Sequence, residues 1–222
     1  LNLGYDNQIY ILLKETVPRP IVQGIAAFPN TKADTKYCGV ILTVDWDKFI
    51  ITKKKIIQFG ELQYNYYNFL PLGEEFLLVA NRCWNRQNGP EKNALVLDKE
   101  GTKIREFCLG DGISSVFTTP DEQIITSYFD EGVFGNFGWD QPIGSCGLIK
   151  WDKNGNEIWK NEKYGIDDVY AMDYYKNNLY FYFYYDFVFV KTNFVDDKTF
   201  KIGENGFKNF TISEDEKKII VD

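Results

Sequence analysis

Apolar and polar positions alternate along this chain in short bursts, and the bursts come in pairs. Residues 68–82 (NFLPLGEEFLLVANR), 116–130 (VFTTPDEQIITSYFD) and 171–186 (AMDYYKNNLYFYFYYD) share one arrangement. Each holds a short apolar segment, a polar turn and a second segment rich in aromatic or β-branched residues. The arrangement returns at 209–222 (NFTISEDEKKIIVD) and, more weakly, at 2–14 (NLGYDNQIYILLK). Short segments with this patterning predict strands, and the polar breaks between them predict hairpins. A unit that recurs roughly every 40–55 residues is the signature of an all-β repeat architecture.

Two further blocks extend the unit. Residues 95–107 (LVLDKEGTKIREF) and 148–160 (LIKWDKNGNEIWK) each read as strand, Asp-Lys-x-Gly turn, strand. The Gly supplies the positive φ that a tight or bulged hairpin needs. Each unit is then four strands, A to D, joined by short connections, and such meanders are the blades of a β-propeller. Strands with apolar residues at consecutive positions, such as LYFYFYY at 179–185, fit sheets covered on both faces. The predicted fold is therefore a single all-β propeller domain over 1–222. Its antiparallel blades fall at about 63–112, 113–165 and 166–206, with strands at about 8–14, 37–45 and 48–58 in the opening segment 1–62. A Pro- and Ala-containing stretch, 17–34, separates the first two of those strands, and 207–222 supplies a partial blade. Two closures fit. Either the opening strands complete the last blade, giving five blades of about 44 residues each, or the chain is part of a larger propeller. Five is the reading adopted.

The segment GLIKWDKNGNEIWK at 147–160 resembles the quinoprotein-type propeller repeat, in which a strand, an Asp-x-x-x-Gly turn and a Trp-bearing strand follow one another. With its weaker copy at 95–107 the resemblance covers some 27 residues. It implies the fold but not the cofactor chemistry of quinoprotein dehydrogenases, whose cofactor-binding residues have no match in this chain. The stretch 66–186, with Ser-Tyr-Phe-Asp-Glu-Gly-Val-Phe-Gly at 127–135, also resembles a bacterial propeller family to which no activity is assigned.

Composition narrows the function classes. Apolar residues make up 44% and aromatics 17%, which excludes disorder and favours strands. A net charge of −7 opposes nucleic acid and anionic lipid, so neither is an expected partner. The run Lys53-Lys54-Lys55 is too small to reverse this and reads as a solvated hairpin edge. No apolar run approaches the ~18 residues of a membrane span. The cysteines, Cys38, Cys83, Cys108 and Cys146, are far apart and lack C-x-x-C spacing, so reduced, mostly buried thiols and a cytoplasmic location are expected. The chain does not begin with Met, so secretion after removal of a leader stays open, and with it one or two disulfides.

Propeller topology puts the B–C and D–A connections on one face. The A–B turns are short, whereas the B–C segments 81–93 and 130–147 are long. Long loops on a rigid scaffold are where binding residues gather. Candidate ligand-binding residues are Arg82 and Trp84 in the first loop and Asp130, Glu131 and Trp139 in the second, near Asn136 and Asp140. Asp111 and Asp168, in D–A connections, and Asp186, which ends its B strand as Asp130 does, are expected on the same face. Carboxylates flanked by Trp and Tyr suit a cation, a sugar or a basic peptide. The competing expectation is that the carboxylates cap strand ends and the aromatics fill the loops' own small cores. Arg82 is placed to pair with the Asp130–Glu131 edge or to clamp a ligand carboxylate.

The absence of histidine excludes Ser-His-Asp and Cys-His nucleophile systems and histidine-ligated metals. No zinc-type cysteine spacing or phosphate loop is present, and 152–156 (DKNGN) lacks the Gly position and final Glu of a calcium loop. No cofactor, metal or catalytic residue is assigned. The leading expectation is a non-enzymatic module binding a protein or small polar ligand through the B–C loop face. The alternative is a carbohydrate-binding or glycoside-cleaving propeller, with Asp130 and either Asp111 or Asp186 as the paired acids.

Overall fold

A computed structural model describes residues 1–16, 21–22, 25–26, 31–184, 186–202 and 206–221; most of the stretch 17–34 lies outside them. The chain divides into two compact units. The first contains residues 1–109 with the turns 118–124 and 152–156; the second contains 110–117, 125–151 and 157–222.

Among the described residues, four antiparallel sheets of four strands are laid down in succession, each a meander whose neighbours follow chain order. The first comprises Asn2–Leu3, Ile9–Lys14, Lys32–Asp45 and Ile50–Tyr64; the second Tyr66–Leu72, Glu75–Ala80, Ala94–Leu97 and Lys103–Phe107. The third comprises Ile113–Thr118, Ile124–Tyr128, Leu148–Trp151 and Glu157–Lys160; the fourth Asp168–Tyr175, Asn178–Tyr184, Val188–Thr192 and Asp197–Lys201. A hairpin of Phe210–Ile212 with Ile219–Val221 follows. The protein is all-β with a β-propeller-like fold.

The turns form as their chemistry dictates. In 98–102, Asp98 Oδ1 accepts from the N–H groups of Glu100 (3.0 Å) and Thr102 (2.7 Å); in 152–156, Asp152 Oδ1 accepts from Asn154 (2.8 Å) and Asn156 (2.9 Å). A short side-chain acceptor thus satisfies the amides of each turn, which is why Asp opens both. Those hydrogen bonds hold the Asp152 carboxyl below its ordinary value, against the opposing effect of its partial burial. In the fourth sheet Lys176 and Asn177, at φ 48° and 60°, make the two-residue turn between Tyr175 and Asn178. Positive φ at both central residues is the type I′ geometry whose twist matches a hairpin.

Packing explains the doubly apolar strands. In Asn178–Tyr184, Leu179, Phe181 and Phe183 belong to a core with Ile125, Leu148 and Val169. The alternate residues Tyr180 and Tyr182 belong to a second core with Phe189 and Phe207, against which Phe210, Ile219 and Val221 pack. With side chains alternating across the sheet, one strand thus supplies two cores. In the first unit Phe69 is fully buried, meeting Tyr10, Phe59 and Phe76 at centroid distances of 5.2–5.3 Å with steeply inclined rings. Such edge-to-face contacts add to the area that each ring buries.

Candidate binding site

The segment between the second and third strands of the third sheet folds into a packed excursion. A one-turn helix, Asp130–Phe134, and a 3-10 turn, Ile143–Cys146, give it internal structure. It is tied to the connection preceding the sheet: the Phe129 N–H donates to the Gly112 carbonyl at 2.9 Å. A Cβ on Gly132 would lie 2.6 Å from the Asp111 carbonyl oxygen and 2.7 Å from that of Gly112, so only glycine admits this approach. The Trp139 N–H donates to the Asn136 carbonyl, and the Trp139 side chain is buried. At 8% exposure, Trp139 offers no open ring face.

Carboxylates and tyrosines converge in the second unit at the start of the fourth sheet. Asp168 opens strand Asp168–Tyr175 opposite Tyr184 in the register, and Tyr170 stacks on Tyr184 at 6.0 Å with the rings 23° apart. Burial pushes the Asp168 carboxyl above its ordinary value, Lys208 draws it down, and the Asp130 carboxylate adds to the rise. Lys208 Nζ lies 3.3 Å from the centroid of the Tyr170 ring. The Tyr170 hydroxyl is raised by burial, then by the charges of Asp168, Tyr184, Tyr182 and Asp130. Two carboxylates, a cation and stacked tyrosines thus share one neighbourhood.

The remaining candidates are spread around it. Asp111 is buried, at 2% exposure, with its backbone against Gly132. Glu131 is half-buried in the one-turn helix, next to exposed Asp130, whose Oδ1 accepts from the Glu131 N–H at 2.7 Å. Asp186 is exposed in the turn between Asn178–Tyr184 and Val188–Thr192. The Asp130 carboxylate acts on Asp168, a pairing that the sequence did not single out.

The first long loop, in the other unit, is organised around an acid absent from the candidate set. Glu91 is buried, and its Oε2 accepts from the Trp84 N–H at 3.1 Å. Its Oε1 accepts from Arg86 Nε and Nη2 at 3.0 and 2.9 Å. The Arg86 guanidinium also lies over the Trp84 ring, 5.3 Å from its centroid. Trp84 is half-buried, as is Arg82. The small hairpin of Asn85–Arg86 with Gly89–Pro90 brings Arg86 back over its neighbours. Among the described residues no three Cys, Asp or Glu side chains gather as a metal site requires.

Tyr170, Tyr184 and Lys208 were not singled out by the sequence. The pairing of DVYAMDYY with NLYFYFY sets Asp168 opposite Tyr184, but that register became legible only with the strand ends fixed.

No protein-family model matches the chain, and no curated protein is significantly similar to it. Among solved structures, it is similar to the computationally designed Ika8 protein, with a TM-score of 0.51 and 9% identity over 88% of this chain and 53% of that one. A protein of unknown function from Bacteroides caccae gives 0.43 and 11% over 84% and 61%. The Cps50 (Swd1) β-propeller domain of Myceliophteria thermophila gives 0.43 and 11% over 84% and 58%. The chain spans about half the length of the first of these, and that likeness is one of fold alone.

Proposed function

We propose that the protein is a binding module that recognises a small polar ligand, or a polar group on a protein, through Asp130, Asp168, Tyr170 and Tyr184. The observation that carries this reading is the partly desolvated Asp168 carboxyl, with Asp130 adding negative charge and Lys208 opposing it. A desolvated carboxylate beside a second acid and a partly exposed tyrosine ring attracts cationic or hydroxyl-bearing groups. Tyr184, at 40% exposure, leaves ring surface for such a ligand. A glycan array and a panel of basic peptides, probed with wild type, Asp168→Asn and Tyr184→Ala, test this. Binding at least tenfold weaker in both variants, at near-unchanged melting temperature, supports it; variants that bind as wild type does overturn it.

The Asp168 carboxyl, raised by burial, with Asp130 acting on it, also favours a second reading, a carbohydrate-active site. Glycoside cleavage needs two carboxyl groups roughly 5–10 Å apart, one of them held protonated. A reducing-sugar assay run with the glycan array decides it, and silence in both removes this reading.

A further inference from the structure

A cleft of about 700 Å³ opens in the first unit, lined by its first two sheets. Its floor is apolar: Tyr10, Ile41 and Phe76 are all buried. Its rim carries four lysines, Lys53, Lys54, Lys55 and Lys99, against two carboxylates, Asp6 and Glu74. Both carboxylates are already engaged. Asp6 Oδ2 accepts from the Tyr10 hydroxyl at 2.7 Å and from Gln8 Nε2 at 2.6 Å, and its Oδ1 accepts from the Gln8 N–H at 3.2 Å. Glu74 is paired with Lys99.

The lysines are aimed by the strand. In Ile50–Tyr64, Ile57 and Phe59 face the core shared with the second sheet. Lys53 and Lys55 fall on the same face by alternation. Lys55 follows that direction: its Nζ sits 5.6 Å from the Phe76 ring centroid and donates to the Lys99 carbonyl at 3.2 Å. Lys53 and Lys55 are exposed, and the Lys53 ammonium group has no hydrogen bond or ion pair among the described residues. In a chain of net charge −7, this cleft gathers uncompensated positive charge over an apolar floor.

We propose that the cleft is a binding site for a small organic anion, a phosphate or carboxylate group on an apolar body. The head group meets Lys53 and Lys55, which share the cleft-facing side of their strand opposite Thr43 and Ile41, and the body lies against Phe76 and Ile41. The volume falls within the usual range for small-ligand sites, and an apolar floor with a few charged groups at the rim is their usual construction. Positive charge spread over several side chains accepts either head group, whereas a neutral analogue of the same body gains only the apolar contact.

Isothermal titration with phenyl phosphate, benzoate, inorganic phosphate and benzyl alcohol tests the assignment. Saturable binding of phenyl phosphate or benzoate is expected, and their ranking identifies the preferred head group. Inorganic phosphate and benzyl alcohol are expected to bind at least tenfold more weakly. The double variant Lys53→Gln/Lys55→Gln should stay near the wild-type melting temperature, because both side chains are exposed and the Lys55 hydrogen bond to the Lys99 carbonyl lies at the surface, and should lose at least tenfold in affinity for the aryl anion. Asp168→Asn should leave that affinity unchanged. No saturable binding of either aryl anion, equal binding of benzyl alcohol or inorganic phosphate, or full affinity in the double variant would each overturn the proposal.

Discussion

Gly112 and Gly132 touch backbone to backbone: a Cβ on Gly112 would lie 2.3 Å from both the Cα and the N of Gly132. The contact fixes the one-turn helix that carries Asp130 against the connection that carries Asp111. Gly132→Ala should therefore destabilise the protein by about 1–3 kcal/mol through forced displacement of backbone. Gly165→Ala is the control, because nothing lies within 4 Å of its Cβ position and its φ is not in the left-handed region. It should be neutral or slightly stabilising. Thermal melts of the two variants check both statements.

Glu91 answers to the same kind of test in the other unit. Its carboxylate holds the Trp84 N–H and the Arg86 guanidinium together. Glu91→Ala leaves that amide without its acceptor and should cost about 1–3 kcal/mol. It should also release Arg86 from the Trp84 ring, visible as a change in tryptophan fluorescence in the folded state.

Phe69 supports the first unit's core from both sheets, so Phe69→Ala should cost about 3–5 kcal/mol in a denaturant titration. A loss below about 1 kcal/mol would mean that the ring contacts contribute little.

The pH dependence follows from Asp173. Burial pushes its carboxyl above the ordinary 3.8, and a hydrogen bond from the Tyr174 N–H, at 2.8 Å, opposes the shift only in part. A carboxyl with a raised native pKa holds its proton more tightly in the folded state. Its contribution is fully present below 3.8 and is lost as pH rises through the raised native value. Asp173→Asn should accordingly raise the melting temperature relative to wild type at pH 7 and leave it unchanged at pH 3.

Much of the fold was legible because strands and hairpin turns are local. The alternation in LYFYFYY predicted cover on both faces, and Leu179, Phe181 and Phe183 do pack in one core while Tyr180 and Tyr182 pack in another. Asp98 and Asp152 announced their hairpins through turn chemistry that needs no distant partner. The site was harder to read, because it depends on which residues meet across the register and through the loops. Trp139 looked like a platform and is buried, because the fold of the loop around it is set by contacts that the local sequence does not spell out. Lys208 lies 40 residues beyond Asp168 in the sequence and acts on it through space. Lys53-Lys54-Lys55 read as a solvated edge, and all three are exposed on the outer strand of the first sheet; the cleft beside them was not legible, because Tyr10 and Phe76, which floor it, lie elsewhere in the chain.

The reading of the site stands on Asp168, Asp130 and Lys208 acting on one another, and carboxyl-detected NMR titration of Asp168 reports this most directly. The midpoint should lie above 3.8 in the wild type, lower in Asp130→Asn and higher in Lys208→Gln. An ordinary midpoint that neither substitution moves would contradict it.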